Sequence, residues 1–207
     1  MTASARVPKS RVPKSKKNNL MNNPLETNLF DKAVKFATEA HSGTERRGKG
    51  YPYIIHPMEA AAIVATMTND PEMLAAAILH DTVEDTDVTI EQIRAEFGDR
   101  VAMLVQSETA PLDENLTWRE KKSFQLKQLA NAPYESKVVA LGDKFSNMSG
   151  IALDYRKIGD EVWKRFHAPN GKSDVGWYYR SLAEALSDLS ETATYQAFVR
   201  LLEEVFG

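Results

Sequence analysis

Ala76-Ala77-Ile78-Leu79-His80-Asp81-Thr82-Val83-Glu84-Asp85-Thr86 is an apolar run that closes on a histidine, an aspartate and then two more carboxylates. Asn69-Asp70-Pro71 punctuates the chain before it, so the pattern predicts a helix from Pro71 to His80. Adjacent residues on a regular helix point about 100° apart. His80 and Asp81 can therefore serve one centre only where a helix presents its end, and the turn-like Thr82–Thr86 segment is consistent with such an end.

Working outward, the periodicity stays helical. Thr27 or Asn28 can cap a helix through Phe30, Val34 and Ala37 to His41. Pro57 suits the first turn of a helix over Met58–Thr68, with His56 just ahead of it. Thr89-Ile90-Glu91-Gln92 and Thr117-Trp118-Arg119-Glu120 read as capping boxes, the first opening a helix that ends at Gly98, the second one running toward Ala132. Asp99 begins another helix between them, and Glu135–Met148, Val162–Phe166, Tyr178–Leu189 and Tyr195–Phe206 complete the set. β-Branched residues are scattered and no hairpin signal separates alternating runs. The expected fold is an all-α helical bundle with a buried divalent metal site.

The metal enters through composition. His56, His80, Asp81 and Asp143 are a mixed nitrogen and oxygen set, suited to a borderline or hard divalent ion that keeps open positions for water. The absence of cysteine removes any thiolate site or disulfide framework. Each residue alone has an ordinary structural reading: a helix-end pair, a histidine before proline, an aspartate beside Lys144. Glu84 and Asp85 would likewise make a solvated acidic turn, or an acid/base pair one turn from a metal. His41 reads as a helix-end residue, and His167 falls in a loop beside Pro169-Asn170-Gly171.

Three blocks taken together narrow this. Arg47-Gly48-Lys49-Gly50-Tyr51-Pro52-Tyr53-Ile54-Ile55-His56-Pro57, the run around His80-Asp81, and Leu141-Gly142-Asp143-Lys144-Phe145-Ser146-Asn147-Met148 resemble the hydrolase half of the RelA/SpoT family, in the family's order, from about Leu29 to Leu153. That family consists of HD-domain enzymes that remove the 3′-pyrophosphate of guanosine 3′,5′-bis(diphosphate), the stringent-response alarmone ppGpp. The resemblance implies that His56, His80, Asp81 and Asp143 converge on one ion, Mn²⁺ by family habit, although the ligand set would also suit Fe²⁺ or Zn²⁺. It implies that Glu84 and Asp85 orient or deprotonate water and manage the leaving group's proton, giving GDP or GTP and pyrophosphate. Arg47 matches an arginine that packs on guanine, with Arg46 as its alternate; Lys49 is placed to reach a phosphate and Asn147 the nucleotide. Gly48, Gly142, Lys144 and Ser146 depart from the family's lysine, alanine, arginine and histidine. The alternatives are an HD phosphohydrolase of another phosphorylated nucleotide, such as NADPH, and a non-catalytic nucleotide sensor.

Beyond Leu153 the resemblance fades. Trp163-Lys164-Arg165-Phe166 and Trp177-Tyr178-Tyr179-Arg180 could stack a base, but aromatics at helical spacing read first as core. Arg119, Lys121 and Lys122 read as a solvated helix face, with the phosphate side of a pocket as the alternative.

Charge is mild overall, −3 over 207 residues, but it is uneven. Residues 1–25 hold six basic residues and no acid, leaving 20 basic against 29 acidic residues, a formal −9, in the remainder. The repeat Arg6-Val7-Pro8-Lys9-Ser10, Arg11-Val12-Pro13-Lys14-Ser15 predicts a disordered basic tail over 1–25, with Met21 as an alternative start, ahead of a single HD hydrolase domain over 26–207. Neither Ala60–Ala65 nor Leu74–Leu79 is long enough to span a bilayer. A cytoplasmic, stand-alone alarmone hydrolase is expected, without the synthetase or regulatory domains of the long enzymes, and with no membrane or nucleic-acid partner.

Overall fold

The computed structural model describes residues 24–108 and 115–207, which form ten α-helices and two short 3₁₀ stretches, with no strand among them. The helices are α1 (Pro24–Ala40), α2 (Ile55–Val64), α3 (Pro71–Leu79), α4 (Thr82–Asp85), α5 (Ile90–Phe97), α6 (Asp99–Glu108), α7 (Trp118–Ala130), α8 (Tyr134–Ile158), α9 (Lys172–Ala185) and α10 (Ala193–Phe206); the 3₁₀ stretches are Gly159–Arg165 and Ser187–Leu189. The all-α expectation holds. Of the basic tail, residues 1–23 lie outside the described residues, and α1 opens at Pro24, ahead of Thr27 and Asn28. A proline fits that first position because its missing N–H has no partner to lose there.

Local chemistry sets most helix ends. Asp70 caps α3 by accepting from the amides of Glu72 and Met73. The Thr89 and Thr117 capping boxes form in full, and Gly98, at φ 90°, closes α5. Several elements depart from the sequence reading. α8 runs on past Met148 to Ile158, where Gly159 at φ 57° turns the chain. Val162–Phe166 is mostly 3₁₀ rather than α, and α9 starts at Lys172, just after Gly171 at φ 51°.

α3 is the hub. Met73 and Ala75 through Leu79 are all buried, and the helix packs on α1, α2, α6 and α8, which is why it is apolar on every side. Arg100 of α6 donates to Asp70, Glu72 and Glu135, tying the starts of α3 and α8 together. The tightest pair is α2 with α8. A Cβ at Gly142 would lie 2.5 Å from Val64 Cγ2 and 2.8 Å from the Ala60 carbonyl oxygen. Glycine at this departure from the family pattern is thus what lets the two helices close. On the far side α10 packs on α8 and α9, with Phe198, Tyr179 and Phe206 buried between them.

Gly142→Ala should force α2 away from α8. Overpacking of this kind costs about 1–3 kcal/mol, so thermal unfolding should show a lowered midpoint, and affinity for divalent metal should fall with it.

Candidate metal centre

Three elements bring the expected ligands together. His80 ends α3 and Asp81 leads into α4, so the neighbours sit at a helix end, as their adjacency requires. Asp143 lies mid-way along α8. His56 sits inside the first turn of α2 rather than ahead of it. The preceding loop makes this possible: the His56 amide bonds the Tyr53 carbonyl, so the turn is already wound before Pro57.

The donor atoms form a closed set. His56 Nε2 lies 3.0 Å from Asp143 Oδ1 and 3.4 Å from Asp81 Oδ2; His80 Nε2 lies 2.9 Å from Asp81 Oδ2 and 3.5 Å from Asp143 Oδ1. Ligands about 2.1 Å from one ion stand roughly 3.0–3.4 Å apart at octahedral to tetrahedral angles. The observed separations fall near that range, and His56, His80 and Asp81 form a group that could hold a metal ion. His56, His80 and Asp143 are 2–5% exposed, so the set is sealed on the protein side.

Proton placement makes the same point. His80 Nδ1 donates to the Ala77 carbonyl at 2.8 Å, which leaves Nε2 as a bare lone pair, buried and without a hydrogen-bond partner. The Ser146 hydroxyl donates to Glu59 Oε2 (2.7 Å) and so accepts from His56 Nδ1 (2.8 Å). His56 Nε2 is therefore bare as well. Two lone pairs facing two carboxylates repel unless a positive charge sits between them. Burial opposes charge on His80, yet Asp81 and Asp143 outweigh it and raise its pKa well above the ordinary value, so the carboxylates draw a proton or a metal ion to Nε2. The pocket demands a cation, and the donor types suit a divalent metal.

Neighbouring groups hold the ligands still. The Tyr53 hydroxyl donates to Asp81 Oδ2 at 2.8 Å. Asp143 accepts from Asn147 on Oδ1 and from Lys144 on Oδ2. Asn147 in turn accepts from Arg46 Nη2 at 2.6 Å. Asn147 is thus committed to a ligand and to Arg46, while its side chain still borders the adjacent cavity of about 730 Å³. Arg47 lines that cavity and meets His167 at 3.2 Å. Lys49 is held by Asp154 at 2.6 Å, at the wall of a neighbouring cavity of about 230 Å³ that reaches His56.

The two acidic residues of α4 part company. Glu84 lines the large cavity, where its crowded setting and then Asp81 raise its carboxyl above the ordinary value. Asp85 borders a different hollow, with Thr44 and Thr86. Sequence reading missed Glu59, Tyr53 and Glu108. Glu108 lies 3.8 Å from Lys144, and burial lifts its carboxyl to about 7. No spacing rule flags contacts between residues this far apart. The substitution of serine at 146 was the available signal, since a short hydroxyl calls for a second acceptor beyond it.

Comparison with known proteins places the chain among HD-domain proteins. The HD domain family model matches residues 33–164. The guanosine-3′,5′-bis(diphosphate) 3′-pyrophosphohydrolase MESH1 of Danio rerio is 36% identical over 144 residues, covering 68% of this chain and 77% of that protein. A guanosine-3′,5′-bis(diphosphate) 3′-pyrophosphohydrolase of Aquifex aeolicus is 46% identical over 86 residues, 42% of this chain; the chain spans only 12% of that longer protein. The crystal structure of lmo0812 from Listeria monocytogenes superposes with a TM-score of 0.66 at 30% identity, over 73% of this chain and 98% of that one.

Ser146→Ala should free His56 to rotate or change tautomer and weaken divalent-metal binding roughly 10–100-fold, as read by competition with a chromophoric chelator, with the fold intact by circular dichroism. Glu108 generates a pH prediction. Its folded pKa of about 7 lies above the ordinary 4.5, so the unfolded chain loses this proton first. Its contribution to stability is full below 4.5 and declines as pH rises to about 7. Glu108→Gln should flatten that decline in unfolding free energies measured from pH 4 to 8.

Proposed function

The chain belongs to the HD-domain family, and on that premise we propose that it hydrolyses the 3′-pyrophosphate of guanosine 3′,5′-bis(diphosphate), releasing GDP, or GTP from pppGpp, and pyrophosphate. The observation that carries this reading is the pair of Nε2 atoms of His56 and His80 set among two carboxylates beside a cavity of nucleotide size. The kinship with MESH1 supplies the substrate. Mn²⁺ is the metal proposed for His56, His80, Asp81 and Asp143; when bound, a divalent ion acidifies a water and polarises phosphoryl oxygens.

The protein's own groups do the rest. Glu84, at the cavity edge with a raised carboxyl pKa, takes the attacking water's proton. Asp85 acts from behind, on the Tyr53 phenol that donates to Asp81; burial first, then Asp81 and Asp85, raise that phenol's pKa. Arg47 offers a guanidinium plane to the guanine, and Lys49 and Asn147 border the sugar and phosphate side. Attack by water on the 3′-pyrophosphoryl group breaks its ester bond to the ribose, and the proton held on Glu84 returns to the departing 3′-oxygen. We place this activity in one HD hydrolase domain over 26–207, acting in the cytoplasm. Among the described residues no helix is long and apolar enough to cross a membrane.

Metal-stripped protein given ppGpp and Mn²⁺ should release pyrophosphate, measured by a coupled phosphate assay. Glu84→Gln with Asp85→Asn should lower the rate by at least 100-fold while metal still binds. Tight ppGpp binding without turnover in the Mn²⁺-loaded wild type would instead identify a nucleotide sensor, and turnover confined to NADPH or another nucleotide would reassign the substrate.

A further inference from the structure

Three histidines are buried: His56 and His80 face the metal cluster, and His41 does not. His41 follows α1 directly, its amide bonded to the Ala37 carbonyl, and only 4% of it is exposed. A helix end explains where this residue sits but not what its ring does. Neither Nδ1 nor Nε2 has a hydrogen-bond partner among the described residues. Burial lowers its pKa against the pull of Asp81 and Asp85, so the ring is neutral, with one N–H and one lone pair. Both are costly to bury unmatched.

The surroundings contain the acceptor that this N–H lacks. The His41 ring lies 4.8 Å from the Tyr53 ring, tilted 35° to it, and the Tyr53 hydroxyl gives its one proton to Asp81 at 2.8 Å. Asp85 stands close enough to that hydroxyl to raise its pKa as well, after burial and Asp81. With the phenol proton committed to Asp81, the Asp85 carboxylate has no donor of its own among the described residues. Asp85 borders a hollow of about 450 Å³ with Ala40 and Thr44; His41 borders one of about 440 Å³ with Thr38 and Thr44. Thr44 is common to both. An N–H without an acceptor and a carboxylate without a donor thus border adjoining polar hollows with room for water.

We propose that His41 is a positioning residue for the hydrolysis, its N–H holding the Asp85 carboxylate through one water beside Thr44. A carboxylate supplied with its own donor does not compete with Asp81 for the Tyr53 proton, so the metal ligand keeps its hydrogen bond. This rests on the hydrolase reading and deepens it, by adding to the machinery a histidine that touches neither metal nor substrate.

His41→Phe keeps a flat ring against Tyr53 and removes both nitrogens. In the full chain saturated with Mn²⁺, with the fold checked by circular dichroism, it should lower kcat for ppGpp about tenfold and leave KM as it was. His41→Gln retains a donor and an acceptor and should recover most of the loss. Added to Asp85→Asn, His41→Phe should cost no further activity, because the two residues act as one unit; added to Glu84→Gln, it should cost its full effect. Nitrogen-15 spectra of the rings, with diamagnetic Zn²⁺ in place of Mn²⁺, give a readout that needs no turnover and decides the matter where His41→Phe does not fold. At neutral pH His41 should show one protonated and one bare nitrogen, shifted by Asp85→Asn and left in place by Glu84→Gln. A wild-type rate in His41→Phe, its full effect on top of Asp85→Asn, or ring resonances that ignore Asp85→Asn would overturn the proposal even if ppGpp is hydrolysed. Resonances that answer Asp85→Asn in a protein without ppGpp turnover would keep His41 tied to Asp85 and sink the hydrolase.

Discussion

Two imidazole Nε2 atoms, their rings' Nδ1 protons committed elsewhere, facing two carboxylates across about 3 Å, are the constraint around which this molecule is arranged. Such a set is repulsive by itself. It becomes favourable only around a positive charge, and the protein has committed both Nδ1 protons elsewhere so that the Nε2 atoms stay available. The Ala77 carbonyl does this for His80 at no cost to helix α3, since a carbonyl in a last turn lacks a helical partner. For His56 the task falls to a relay through Ser146 to Glu59.

Holding these donors together takes helices that approach closely. Gly142 removes the Cβ that would strike the Ala60 carbonyl, and Asp143, one residue on, comes within 3.0 Å of His56. The break between α3 and α4 turns His80 and Asp81 toward the same point. Lys144 then neutralises the outer oxygen of Asp143, and Glu108 stands behind Lys144. Charge alternates outward from the cluster, which confines the cation demand to one place.

The parts legible in the sequence are those written locally. Capping boxes at Thr89 and Thr117 and the glycine stop at Gly98 appear in the structure where the pattern put them. The His80-Asp81 pair announced a helix end, because neighbours on a helix cannot otherwise share a centre. What was not legible depends on residues distant in sequence. The start of α2 moved ahead of His56 because the 41–54 loop winds the first turn. α8 outran its expected end because packing by α10, not propensity, decides there. Lys122 looked like surface because Tyr178 of α9 lies over its ammonium, and the pattern on α7 alone cannot show that.

The central claim is that His56, His80, Asp81 and Asp143 hold one divalent ion. Anomalous scattering at the manganese edge, from crystals grown with Mn²⁺, addresses it directly. The account predicts a peak roughly 2.0–2.3 Å from both Nε2 atoms and from an oxygen of each aspartate. A metal-loaded crystal with no density among these four side chains, or with the peak ligated elsewhere, would contradict it.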